Sequence, residues 1–157
     1  MVEPKFLQFN YEKSLEVYNT CKEDLEIKHC YNNTFHVVQH YYRNFTMGKW
    51  KVVYGYVQIW GTQNLYCRHA FVIDEDDTVI DATLFTKSDK YPFNYENEDG
   101  DLPVDRQYIS MKIFDDLRDY VTAISDNDGY PDLCFPLREL DQEFTLWAMD
   151  NNYFLCG

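Results

Sequence analysis

The sequence predicts an α+β fold in one domain spanning residues 1–157. Segments near both ends place apolar residues at helical spacing, while the middle third alternates in short β-branched and aromatic runs separated by tight turns. The chain has no internal repeat and no shift in composition of the kind that marks a second domain. At 157 residues it is long enough to bury roughly two-thirds of its unfolded surface, so a core needs no disulfide or metal to hold it.

From Tyr11 to Ile27, the residues Tyr11, Leu15, Tyr18 and Leu25, with Cys21 between them, fall on one face of an amphipathic helix. Glu12, Lys13, Glu16, Lys22 and Glu23 form the opposite, charged face. A second stripe, Tyr31, Thr34, Phe35, Val38, Tyr41, Tyr42 and Phe45, predicts a helix that starts at Cys30 and runs to about Asn44, with Gly48 beyond it as a stop. The period then changes. The runs WKVVYGYVQIW, LYCRHAFVID and TVIDATLF, separated by GTQN and EDD, predict three sequential antiparallel strands. Residues of about 86–107, TKSDKYPFNYENEDGDLPVDRQ, are dense in Asp, Glu, Asn, Pro and Gly and too long for a plain connection, which predicts an acidic loop acting as a lid or excursion. YISMKIF adds a strand. Asp115 to Ile124 and Pro136 to Met149 read as helices, the second with Leu137, Leu140, Phe144 and Trp147 on one face and Pro136 in its first turn.

The 27 acidic and 14 basic residues give a net charge of −13, yet aromatics make up 18% of the chain, so the charge belongs to the surface of a globular protein. Such a surface repels nucleic acid and anionic membranes and favours cationic partners. The start, MVEPKFLQFN, has no basic stretch leading into an apolar one, and no run approaches about 18 apolar residues, so a cytoplasmic location without a membrane span is expected. The five cysteines, Cys21, Cys30, Cys67, Cys134 and Cys156, contain no CxxC pair and suit a reducing compartment.

A catalytic thiol attacks as its anion, and the positive potential of a helix start favours that form. Cys30 is placed for this role. A histidine base needs a partner on its second ring nitrogen to fix its tautomer, and His69 and Asp81, on runs joined by a short turn, suit that division of labour. Cys67 shares the His69 strand face and reads as a core position. His29, beside Cys30, reads as an exposed flanking residue. His36 and His40 are four apart on a helix, but Val37, Val38 and Gln39 between them include no glutamate, so no metal is expected. The chain lacks GxxxxGK[ST] and GxGxxG, and no cofactor is expected.

The order of these parts, a cysteine at a helix start, VYGYV (Val53 to Val57), HAF (His69 to Phe71) and DAT (Asp81 to Thr83), resembles the catalytic core of transglutaminase-like proteins in the papain-like cysteine superfamily. The NlpC/P60 branch is the nearest competing assignment. The resemblance implies a papain-like core, with a helix starting at the cysteine packed on an antiparallel sheet and C-terminal helices added. It further implies a Cys30–His69–Asp81 triad and a thioester intermediate in acyl transfer or in amide or peptide hydrolysis. Tyr31 and Phe71 stand where tryptophan is usual, and Ala82 replaces a proline. Tyr31, Tyr56, Gln58 and Phe71 are the expected substrate-binding residues, with Gln8, Tyr56 and Gln58 as candidate second oxyanion donors. The implied substrate is a protein, a peptide or a small-molecule amide, and the acidic surface favours a cationic one. The alternative is a weak or inactive scaffold of the same kind, serving as an acidic binding or inhibitory module.

Overall fold

The computed structural model describes residues 4–59, 64–86 and 107–155. A short strand, β1 (Lys5–Leu7), precedes helix α1 (Tyr11–Cys21), which Asn10 caps by accepting from the Lys13 N–H. The helix expected to reach Ile27 stops at Cys21 and gives way to one 3₁₀ turn at Lys22–Asp24. The reason lies downstream: the Asn33 carboxamide takes both the N–H and the C=O of Glu26, groups that a continued helix would have used. Helix α2 (Cys30–His40) follows, and its expected continuation to Asn44 breaks at Tyr41. There Trp50 packs on the Tyr41 ring at 4.9 Å, and a separate short helix, α3 (Tyr42–Thr46), begins. Gly48 ends the segment at φ +72°, a conformation suited to glycine.

Strand β2 (Lys51–Gln58) pairs antiparallel with β3 (Leu65–Ile73) from Lys51↔Ile73 to Gln58↔Tyr66. The third expected strand is only two residues long, β4 (Val79–Ile80), because the Asp81 N–H turns to the Ser14 hydroxyl and Ala82–Phe85 coil into a 3₁₀ turn. YISMKIF forms β5 (Tyr108–Phe114), which inserts between β1 and β2 to give the order β1-β5-β2-β3-β4. Helices α4 (Leu117–Asp126) and α5 (Arg138–Asn151) follow, and a parallel strand, β6 (Phe154–Leu155), joins the start of β3. Pro136 sits before α5 rather than in its first turn, within a turn closed by Leu137 N–H to Leu133 O. The acidic segment expected to be a lid lies outside the described residues except for Thr86 and Gln107, as does Cys156.

The molecule is thus an α+β protein with a mostly antiparallel sheet. Strand alternation sends Val53, Val57, Phe71 and Ile73 to one cluster, where Leu15 and Tyr18 of α1 cover them. Val52, Tyr54, Ala70 and Val72 join Val37 and Val38 of α2 and Tyr120 and Ile124 of α4 in another. Phe144 and Ala148 of α5 close the third over Tyr56, Tyr66 and Met111. Among the described residues, no helix is long and apolar enough to cross a membrane. The register of β2 against β5 shifts at Gly55, where an added Cβ would lie 2.0 Å from the Ile109 carbonyl oxygen. Only glycine allows that approach, so Gly55 lets β5 close on one edge of β2 while the other edge pairs with β3 at His69.

Candidate active site

The register of the β3–β4 hairpin builds the first half of the site. Val72↔Ile80 and Ile73↔Val79 carry the chain back along β3, and Asp81, one residue past the strand, faces His69. Asp81 was expected on a strand; it leads the 3₁₀ turn instead, and His69 Nε2 lies 2.9 Å from its Oδ2. An ionised carboxylate only accepts, so Nε2 carries the proton and donates. His69 and Asp81 are both buried, 5% and 2% exposed. Phe71, two residues along the same strand face, lies against the imidazole at 6.1 Å with the rings 24° apart.

The second half comes from α2. Cys30 is its first residue, and the N-cap His29 places no side chain over the first-turn N–H groups. The Cys30 thiol lies near enough to His69 to raise the imidazole's pKa together with Asp81. With Nε2 committed to Asp81, the nitrogen left for sulfur is Nδ1. Asn33, one turn into α2, fixes the distance between the halves: its Nδ2 donates to Thr83 Oγ1 at 3.1 Å and to Glu26 O at 2.7 Å. The threonine of DAT therefore ties the cysteine helix to the turn that holds the aspartate.

Electrostatics follow from this geometry. Burial acts to lower the His69 pKa, but the Asp81 carboxylate and Cys30 together outweigh it and hold the imidazole well above its ordinary value. The cysteines are not equivalent. Cys21 is fully buried and pushed up to about 11, first by burial and then by Asp24. Burial and then Asp132 raise Cys134. Cys30 combines partial exposure with a histidine partner.

The other expected residues divide. Tyr31 stays beside the site, its ring edge-on to Tyr54 at 5.1 Å, with burial raising its pKa. Phe71 is 1% exposed and walls the imidazole from within the core. Tyr56 stacks on Phe144 at 3.9 Å beneath α5 and donates to Asp141. Gln58 accepts from the Gln107 N–H at 3.2 Å and ties β2 to the start of β5. The Gln8 carbonyl accepts from the Val79 N–H, which sets it beside β4. His36 meets Gln39, and His40 meets Asp24.

Three contributors escaped the sequence reading. Tyr108 donates to Asp81 Oδ2 at 2.6 Å, Ser14 Oγ accepts from the Asp81 N–H at 2.9 Å, and Asn33 makes the bonds given above. Ser14 and Asn33 are polar residues on the apolar faces of two amphipathic helices, which was a signal to read. Tyr108 had none, being one aromatic residue in an ordinary strand. Compared against protein-family models, curated proteins and solved structures, the chain matches none.

Proposed function

We propose that the protein is a cysteine-dependent enzyme of acyl transfer or of amide or peptide hydrolysis, with a papain-like core of transglutaminase type. The observations that carry the reading are the buried His69–Asp81 hydrogen bond and a partly exposed Cys30 near enough to the same imidazole to raise its pKa. Sulfur attacks the carbonyl carbon of an amide, and the Cys30 backbone N–H faces the oxygen as it gains charge. The tetrahedral adduct collapses to a thioester as the C–N bond breaks, and the His69 imidazolium gives its Nδ1 proton to the departing amine. Neutral His69 then takes a proton from water or from an acceptor amine, whose attack on the thioester releases acid or new amide and restores the thiolate–imidazolium pair. Asp81 keeps the imidazole oriented throughout. The surplus of acidic residues favours cationic substrates by steering.

The test is labelling by iodoacetamide and by an acyl electrophile, followed by peptide mapping. The expected result is modification of Cys30 faster than of free cysteine at pH 6, lost in Cys30→Ser. Equal reactivity of Cys30 and free cysteine, or acyl labelling that survives Cys30→Ser, overturns the reading.

A second reading, a binding or inhibitory module, draws on exposed apolar residues around α5: Tyr130, Phe135, Leu146 and Met149 are each more than 60% exposed. It predicts a salt-sensitive complex with a basic protein that Cys30→Ser leaves intact.

A further inference from the structure

We propose that Tyr108 is a positioning residue of this site: its hydroxyl pins Asp81 Oδ2, and through that oxygen it sets the orientation of the His69 ring toward Cys30. The inference rests on the catalytic reading and adds a member to it from a different strand.

A phenol with 0% exposure needs a hydrogen-bond partner, and a packing tyrosine can find one on any nearby carbonyl. Tyr108 finds the one buried carboxylate oxygen that also receives His69 Nε2, at 2.6 Å against 2.9 Å. Two donors on one oxygen form a rigid fork, because rotating the carboxylate to improve either bond lengthens the other. A charge-assisted bond this short sits at the strong end of the range.

A pin must itself be fixed, and Tyr108 is held independently of the triad. Its backbone pairs with Leu7 on one side and Val57 on the other, so it sits in the interior of the sheet. Phe9 stacks on its ring at 5.7 Å and 17°, and Phe71 meets it edge-on at 5.1 Å and 68°. The hydroxyl therefore stays in place whatever the imidazole does. Asp81 is restrained from its other end as well, since Ser14 Oγ holds its N–H. Backbone held by α1 and carboxylate held by β5 leave the aspartate little freedom. The His69 ring then has one favoured pose, with Nε2–H on Oδ2 and Nδ1 toward sulfur.

The experiment compares wild type with Tyr108→Phe in the full chain, which removes one oxygen and keeps the packing. Three quantities are read: the ¹⁵N chemical shifts of the His69 ring, assigned by their loss in His69→Gln; the rate constant for Cys30 alkylation by iodoacetamide at fixed pH; and the melting temperature. The expected result is a His69 ring whose nitrogen shifts move toward tautomer exchange, with alkylation slowed about tenfold, the scale of one lost bond to a charged group. Adding Tyr108→Phe to Asp81→Asn should then slow alkylation no further, because the hydroxyl acts through that carboxylate.

Ring shifts unmoved by Tyr108→Phe, with only the melting temperature lowered, would overturn the positioning role. Full additivity with Asp81→Asn would overturn it too. The ring-nitrogen readout is separate from thiol chemistry. A wild-type Cys30 no more reactive than free cysteine would remove the enzyme reading alone, whereas unmoved ring shifts would remove the role of Tyr108 alone.

Discussion

Asp74 and Asp81 each close the same tripeptide, Val-Ile-Asp, at the two ends of one β-hairpin, and both are buried at 4% and 2% exposure. Their partners differ. Asp74 accepts from the N–H groups of Asp76 and Thr78, from Thr78 Oγ1 and from Lys13 Nζ at 2.8 Å, so most of its bonds are local and its charge is met by a cation. Asp81 accepts from His69 and Tyr108, side chains on two other strands. One carboxylate ties a turn; the other meets a group that can change its charge. Helix α1 serves both, with the adjacent residues Lys13 and Ser14 reaching one aspartate each. Burial of a carboxylate thus does not distinguish the two; their partners do, a lysine and turn groups for one and a histidine for the other.

The sharpest test of that difference is reactivity. Asp81→Asn should slow Cys30 alkylation by roughly 10²-fold or more, the scale of a disabled general acid–base pair, while Asp74→Asn leaves it within about twofold. Similar losses in iodoacetamide kinetics would break the comparison.

Stability tests the part Asp74 plays in its turn. Asp74→Ala strands Lys13 and two backbone N–H groups and should cost about 2–3 kcal/mol in urea unfolding.

The pH profile of stability separates them further. Burial acts to raise the Asp74 pKa, but Lys13 and Thr78 outweigh it and hold the carboxyl below its usual range. A lowered folded value means that its contribution is present above the unfolded value of about 3.9 and is lost as pH falls through the folded one. Asp74→Asn should flatten that acid loss in urea midpoints. His69 has the opposite sign: its raised folded value gives a contribution present below the unfolded value of about 6.5 and lost as pH rises through the folded one. His69→Gln should flatten the alkaline side.

The smallest effect belongs to Ser14→Ala, which leaves the Asp81 N–H without its acceptor and should cost about 1 kcal/mol in urea. A loss confined to stability would make Ser14 a support of the turn alone, and an added drop in Cys30 reactivity would extend the positioning of Asp81 to its backbone.

Much of this was legible wherever the signal was periodic. The stripes after Tyr11 and Cys30, the alternation of β2 and β3, and the apolar face of α5 are properties of neighbouring residues, and they placed these elements to within a few positions. Where the elements stop was less legible. Nothing near Leu25 says that α1 ends early, because the cause is the Asn33 side chain seven residues beyond Glu26. Likewise TVIDATLF reads as a strand throughout, and a hydroxyl from α1 turns it after Ile80. Tyr56 lies within the VYGYV motif and Gln58 just beyond it, and pairing with β5 and cover by α5 give both partners that no local pattern announces.

The sequence by itself determined the α+β class, the helix start at Cys30 and the hairpin that returns an aspartate to His69, because each depends on period or on a short turn. Only the tertiary structure decided that β5 enters beside β2, that Tyr108 reaches Asp81 and that Lys13 and Ser14 divide two like carboxylates between them. Those contacts join residues 27 to 67 positions apart. No local preference encodes which buried donor meets which acceptor; that pairing is settled when the sheet order and the helix packing bring them within hydrogen-bond reach.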